Sequence, residues 1–212
     1  MMPAVTVADI INETKNIKTI KFKWSTDIKP GQFVMAWVPG VDEVPMSLTY
    51  SGGLAGITVD AVGEASGALH ALRPGDKFGV RGPFGKGFDI TGKDILAVGG
   101  GTGAAALALA AEAAVSSGCR VRAVIGARTA DCILFRDRFR EAGVDVHVST
   151  DDGSEGHRGC ATGLAGNLIA ERRPDLIVAC GPEPMLANLV AMARDRGIPI
   201  QCSLERYMKC GI

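Results

Sequence analysis

Two different rhythms of apolar and polar positions run along the chain. Up to about residue 92 the apolar positions come in short, β-branched-rich runs. Ala4 to Ile11 is one such run, and Asn16 to Trp24 is a second. The second alternates, with Ile17, Thr19, Lys21 and Lys23 set against Lys18, Ile20, Phe22 and Trp24, the period of a half-buried strand. Pro30-Gly31 signals a turn, after which Gln32 to Val38 predicts a strand that Pro39-Gly40 closes. Met46 to Tyr50, Gly56 to Val62 and Lys77 to Arg81 supply further strands, and Ala68 to Leu72 is the one helix-like piece. Short strands at close spacing, punctuated by Gly and Pro, predict a small antiparallel barrel.

From Asp94 onward strands and helices alternate. Ile95 to Val98 is a short apolar run of the kind a buried parallel strand needs. It enters Gly99-Gly100-Gly101-Thr102-Gly103 and then an Ala-, Leu- and Glu-rich segment to Val115 with high helix propensity. Strands follow at Arg120 to Ala127, Asp145 to Ser149, Leu176 to Cys180 and Ile198 to Leu204. Helices are predicted at Ile133 to Glu141, Gly163 to Glu171 and Pro184 to Arg196. This order predicts a doubly wound α/β domain with a mostly parallel sheet. The composition changes near Asp89 to Lys93, which gives domains at 1–92 and 93–201 and a terminal segment at 202–212.

Ligands of such sheets sit beyond the carboxyl ends of the strands. Three loops are so placed: Gly99 to Gly103, Ser149 to Ser154 and Cys180 to Met185. In the first, glycines allow close backbone approach, and the helix start offers unpaired N–H groups and a positive dipole end to a pyrophosphate. The string GGGTG is not the spaced GxGxxG fingerprint, and a tight turn that merely packs helix on sheet is the alternative.

Composition narrows the partners. Lys plus Arg and Asp plus Glu both number 23, which gives no reason to expect nucleic acid or an acidic membrane surface. No apolar run approaches the length of a membrane-spanning helix, and Met1 to Val7 lacks the features of a signal peptide, so a cytoplasmic protein is expected. Six cysteines in 212 residues do not make a disulfide framework. His70, His147 and His157 are isolated along the chain, and no nucleophile–base set is evident.

A small antiparallel barrel followed by an α/β domain with this glycine loop resembles the ferredoxin–NADP reductase superfamily. The resemblance covers nearly the whole chain. It includes Pro30 to Phe33, Pro45-Met46-Ser47, Gly82 to Gly85 and Cys180-Gly181-Pro182-Glu183-Pro184-Met185. Within that superfamily, Thr150 to Ser154 and the ending Ser203 to Ile212 resemble the electron-transfer subunits of two-subunit, NAD-dependent dihydroorotate dehydrogenases.

The resemblance implies FAD on the barrel, NAD on the α/β domain and a [2Fe-2S] cluster near the C-terminus. It places flavin contacts at Pro45, Met46 and Ser47, at Thr58, Val59 and Asp60, and at Ala65 and Ser66, where the family usually has Gly-Thr. Ser47 and Ser66 are the candidate hydroxyl donors. Nucleotide contacts fall at Gly99, Gly100, Gly101, Thr102, Gly103, Asp151, Cys180, Gly181, Pro182 and Met185. Cys210 stands at a ligand position of a C-x4-C-x2-C pattern that needs more chain than the ten residues from Ser203, so a cluster is expected only in a longer chain. One departure stands out. The family commonly has Arg before the Pro-x-Ser, but Glu43-Val44 occupies that place here, which removes a pyrophosphate partner and about 1–3 kcal/mol of binding. Arg73, Lys77 and Arg81 are the nearby cations.

The implied function is an electron-transfer flavoprotein in pyrimidine biosynthesis. It would pass electrons from a dihydroorotate-oxidising partner to NAD, in a heterotetramer. No catalytic side chain is needed for hydride transfer between two aligned rings. A reductase subunit of another complex (hydrogenase, sulfide or ferredoxin-linked) and a non-redox nucleotide-binding module are the alternatives. Arg128 leaves NAD and NADP both open.

Overall fold

The structure, a computed structural model, describes residues 3–204. They divide into two compact units, one up to Gly87 and one from Phe88.

In the first unit, β1 (Ala4–Asn12), β2 (Ile17–Phe22), β3 (Phe33–Trp37), β4 (Glu43–Tyr50), β5 (Ala55–Asp60) and β6 (Lys77–Phe84) close a barrel in the order β1-β2-β5-β4-β3-β6. Every pairing is antiparallel. The alternation within β2 sends Ile20 and Phe22 into the barrel, where Phe22 meets Phe78 edge-on at 5.2 Å. Val34, Ala36, Leu48, Ile57, Val59 and Val80 complete this core. Each such side chain contributes about 1.5–3 kcal/mol by leaving water. Helix α1 (Glu64–His70) packs on β5 and β4. It begins four residues before the helix predicted at Ala68, because an extended Gly63 starts it and the Ser66 hydroxyl reaches back to the Val62 and Gly63 N–H groups. Strand β4 begins at Glu43 rather than Met46, since residues from Glu43 already pair with β3.

The second unit contains β7 (Asp94–Gly100), α2 (Gly103–Ser116), β8 (Arg120–Ala127), α3 (Arg136–Glu141), β9 (Asp145–Thr150), β10 (His157–Arg158), α4 (Ala161–Glu171), β11 (Leu176–Cys180), α5 (Glu183–Asp195) and β12 (Ile200–Ser203). The sheet order is β10-β9-β8-β7-β11-β12, and every pairing is parallel. Strand β11 is buried throughout and β7 from Ile95 onward, as strands covered on both faces must be. The helix expected from Ile133 is shorter, because Phe135 takes φ of 60° and breaks it from a 3-10 turn at Ala130–Cys132. Strand β10 went unpredicted, being two exposed polar residues with no apolar rhythm. Cys202 and Ser203 belong to β12.

The amino ends of the strands are tied by charge. Arg122, 4% exposed, donates to the carbonyls of Leu168 and Arg172 at 2.7 and 2.8 Å and to Asp94 at 3.1 Å. Asp94 also pairs with Arg172 at 2.7 Å. Asp175 accepts from the Lys93 and Asp94 N–H groups, which holds its carboxyl below the usual carboxylate range. Among the described residues, no helix is long and apolar enough to cross a membrane.

Candidate functional site

The barrel offers a fork between two strands. β4 pairs with β5 only from Leu48, opposite Ile57, with a bulge that sets Thr49 and Tyr50 against Gly56. Before Leu48, residues Glu43 to Ser47 pair with β3 alone, and beyond Ile57 the strand β5 runs on through Asp60 along β2. Pro45, Met46 and Ser47 therefore lie on one arm of the fork, and Thr58, Val59 and Asp60 on the other. The first three are half-buried, and the Ser47 hydroxyl has no hydrogen-bond partner among the described residues. A flat ring with a polar rim suits such a place, which has apolar walls, a free hydroxyl and an open backbone edge.

The arms differ in what their side chains can offer. Val59 is 0% exposed and faces the barrel core, so only its backbone is available to a ligand. Thr58 Oγ1 lies 2.8 Å from Thr19 Oγ1 and 3.1 Å from Thr49 Oγ1, and is engaged within the sheet. Ala65 and Ser66 are buried in the first turn of α1. Ser66, expected to offer a hydroxyl to a pyrophosphate, has that hydroxyl engaged at the start of α1. Its oxygen accepts from Val62 and Gly63, and its proton goes to the Gly63 carbonyl at 3.2 Å.

The question of a compensating cation has a structural answer. Arg81 on β6 reaches across β3 and grips Glu43 with two parallel bonds, 2.5 and 2.9 Å long. Its guanidinium also lies 5.3 Å from the Phe84 ring centre. Glu43, standing beside the place where the family carries Arg, is thus neutralised by Arg81. Sequence spacing gave no signal for this pair, because 38 residues separate its members.

In the α/β unit, the sheet order reverses at β7: the chain goes to β8 on one side and returns as β11 on the other. Gly99 at the end of β7 is in register with Cys180 at the end of β11. The two loops that follow interlock. A Cβ on Gly103 would overlap the Cys180 carbonyl, and one on Gly99 would come within 2.6 Å of Ala104. A Cβ on Gly100 would meet Met185 Sδ at 2.8 Å and Pro182 Cδ at 3.0 Å, and one on Gly181 would meet Met185 Cε at 2.6 Å. The exposed Gly101 turns with φ of 56°, and no atom lies within 4 Å of the place its Cβ would take. Thr102 keeps its hydroxyl without a partner among the described residues. Four glycines thus bring α2 against β11 while Gly101 and Thr102 stay open at a helix start. That arrangement fits a pyrophosphate.

Asp151 stands apart from these loops. It follows β9, and its N–H bonds to the Ala127 carbonyl at the end of β8, the strand that lies between β9 and β7. The third loop thus lies on the β8–β9 rim. That rim is well ordered: Asp152 accepts from Ser154 N–H and Oγ, which lowers its pKa, and Ser154 Oγ accepts from Ala130 N–H. Arg128 is exposed there and makes no ion pair among the described residues. Cys180 is buried. Cys210 lies outside the described residues, among which no three His, Cys, Asp or Glu gather to hold a metal.

No protein-family model matches the chain. Among solved structures, a chain of the NADH-dependent reduced ferredoxin-NADP oxidoreductase described for flavin-based electron bifurcation superposes with a TM-score of 0.88 at 28% identity. The match covers 100% of this chain and 81% of that one. The ferredoxin reductase of carbazole 1,9a-dioxygenase shares the fold at 0.84 and 21% identity, covering 95% and 68% of the two chains. The architecture is ferredoxin–NADP reductase-like. Curated relatives are closer in sequence. Proteins named probable dihydroorotate dehydrogenase B (NAD(+)), electron transfer subunit, are 44% identical in Methanothermobacter thermautotrophicus and 42% in Methanocaldococcus jannaschii. These matches cover 96% and 97% of this chain and 77% and 79% of the relatives. Identity at that level, over both the barrel with its fork and the α/β unit with its glycine loop, means that this chain belongs to the family of NAD(+)-dependent dihydroorotate dehydrogenase B electron transfer subunits.

Proposed function

We propose that this chain takes electrons from a catalytic subunit that oxidises dihydroorotate and passes them through FAD on the barrel to NAD on the α/β unit. The observation that carries the reading is the presence of two separate seats in one chain of this family. One is a strand fork with a free hydroxyl, and the other is an interlocked glycine loop at the reversal of a parallel sheet. Bound flavin would supply a carrier that accepts electrons singly and gives them up as a hydride.

The chain's own residues do the rest. Pro45 and Met46 offer apolar walls to the ring, and Ser47 offers a hydroxyl to its polar rim. The backbone of Thr58 to Asp60 lines the other arm, with Ala65 and Ser66 setting where α1 begins. Arg81 cancels the charge of Glu43 beside the phosphate end. On the α/β unit, Gly99 to Gly103 bring backbone and the Thr102 hydroxyl to the pyrophosphate. Cys180, Gly181, Pro182 and Met185 form the facing wall, and Asp151 lies on the rim toward the adenosine. Bound flavin and nicotinamide would supply the hydride chemistry, for which no general base is required of the chain.

A [2Fe-2S] centre needs four thiolates. We assign Cys210 as one of them; the other three are not gathered among the described residues. Assembly with the catalytic subunit as a heterotetramer, and a place in pyrimidine biosynthesis, follow from the same family reading. The unbridged thiols of Cys119, Cys132, Cys160 and Cys202 suit a reducing, cytoplasmic setting.

The test is an absorbance spectrum of the purified protein with its flavin extracted, followed by anaerobic addition of NADH. Bound FAD that bleaches with NADH supports the reading. A colourless protein that cannot be reconstituted with flavin defeats it and favours a nucleotide-binding module without redox function. A reductase that serves another acceptor would bleach equally but gain no NAD reduction when mixed with the dihydroorotate-oxidising subunit.

A further inference from the structure

The chain leaves the barrel for the α/β unit through a short connector, and each unit holds its own share of it. On the barrel side the Gln32 side chain donates to the Gly85 carbonyl at 2.9 Å, and its oxygen accepts from Lys29 N–H at 2.8 Å. Gly87 lies against the same turn. A Cβ there would come within 2.9 Å of both Lys29 Cβ and the Pro30 carbonyl oxygen. On the α/β side the Gln201 side chain of β12 exchanges two bonds with the backbone of Asp89. The Asp89 N–H donates to its oxygen at 2.9 Å, and its nitrogen donates to the Asp89 carbonyl at 2.7 Å. Further on, a Cβ on Gly92 would meet Asp175 Cβ at 2.5 Å, and Lys93 N–H bonds to the Asp175 carboxylate at 2.8 Å.

These ties nearly meet. The barrel keeps the chain through Gly87 and the α/β unit keeps it from Asp89, so the half-buried Phe88 alone is left between them. Among the described residues no hydrogen bond holds Phe88, and the chain passes from one unit to the other only once. Glutamine suits such a clasp because its amide both donates and accepts, and can engage the N–H and C=O of one residue as a neighbouring strand would. A connector that merely spans two units bends along its whole length, whereas this one is fixed on both sides of a single residue.

We propose that Phe88 is the hinge on which the two units turn, and that Gln32 and Gln201 confine the turning to it; the inference rests on the two-seat reading above. Hydride transfer needs the reacting atoms about 3–3.5 Å apart, yet the nucleotide must also enter and leave. With the seats on separate units, both needs fall on the connector. A hinge of one residue keeps the seats near each other through every opening, and a longer free connector dilutes one seat at the other. Gln32 and Gln201 act through the connector and are positioning residues.

Two measurements on the full chain test this. In the first, the flavin-free protein is digested with chymotrypsin, which cuts after Phe. Gln201→Ala releases Asp89 and lengthens the free connector to residues 88–91, so cleavage after Phe88 should rise about tenfold or more while the thermal midpoint barely moves. Gln201→Glu keeps the acceptor for Asp89 N–H but sets a carboxylate against its carbonyl, and should fall between. Cleavage no faster in Gln201→Ala than in wild type overturns the hinge. In the second, flavin-loaded protein is mixed with saturating NADH and the bleaching of the flavin is timed. Gln201→Ala, and Gly-Gly inserted after Phe88, should each slow bleaching about threefold or more with NADH affinity unchanged. Gly-Gly inserted after the exposed Gly52 should leave the rate as it was. Wild-type rates in both connector variants overturn the hinge and leave the flavin reading intact. Wild-type protein that binds no flavin overturns that reading, and the hinge's part in hydride transfer with it. If Gln201→Ala fails to fold, the insertion after Phe88 decides in both measurements.

Discussion

In the α/β unit a methyl group has nowhere to go at Gly99, Gly103 or Gly181, whereas the barrel leaves Pro45, Met46 and Ser47 half-buried on an edge that β5 does not reach. The first seat is made by backbone pressed on backbone. Its chemistry resides in absent side chains, and its geometry is as rigid as the packing of α2 on β11. The second is made by two strands that diverge, and its chemistry resides in side chains and in the N–H and C=O groups of an open edge. Rigid seats suit a group held by its phosphates; a fork suits a ring whose rim must be met at several points. Damage should therefore show as lost stability in the α/β unit and as lost affinity in the barrel.

Gly103→Val tests the rigid seat hardest. The new side chain collides with the Cys180 carbonyl, so the expected cost exceeds about 4 kcal/mol, and thermal unfolding should show the α/β unit lost. Arg122→Met comes next, at about 3 kcal/mol in denaturant unfolding, because it strips a buried partner from Asp94 and from two carbonyls. Gly101→Ala meets no neighbour but strains a left-handed residue, so about 1 kcal/mol is expected, together with weaker NADH binding by titration. On the barrel side, Ser47→Ala should leave the unfolding midpoint unchanged and weaken only flavin binding, measured by fluorescence recovery on dilution. An unfolding effect there equal to that of Gly101→Ala would erase the contrast between the seats.

The smallest effect concerns acid. Asp175 has its folded pKa lowered, first by the Lys93 N–H and then by the Asp94 N–H. The stability this contributes is present above the unfolded carboxylate value and is lost as pH falls through the folded one. The gap in melting temperature between wild type and Asp175→Asn should therefore close progressively in acid.

Much of this was legible in the sequence because it depends on local rules. The apolar run into Gly99 to Gly103 and the alternation of strand and helix follow from burial and turn chemistry within a few residues. The order of strands around the barrel does not, nor does the fork, since both depend on which distant strands pair and where that pairing stops. The bond between Arg81 and Glu43 and the contacts of Thr58 with Thr19 and Thr49 were illegible for the same reason. Ser66 shows that one local pattern can carry two roles, a donor to a ligand and a helix cap, and its hydroxyl caps α1. The 3-10 turn before α3 escaped because nothing in Phe135 advertises a positive φ.

The open arm of β4 carries a risk of its own. A strand edge that lacks a neighbour is a place where a second chain can add a strand and begin an aggregate. Pro45 stands in the middle of that arm and has no N–H to offer, so the edge is interrupted where an invading strand would need it whole. A residue proposed to line the flavin seat would thus also guard the newly made barrel before any flavin arrives. Pro45→Val should leave the fold intact and yet make the flavin-free chain precipitate.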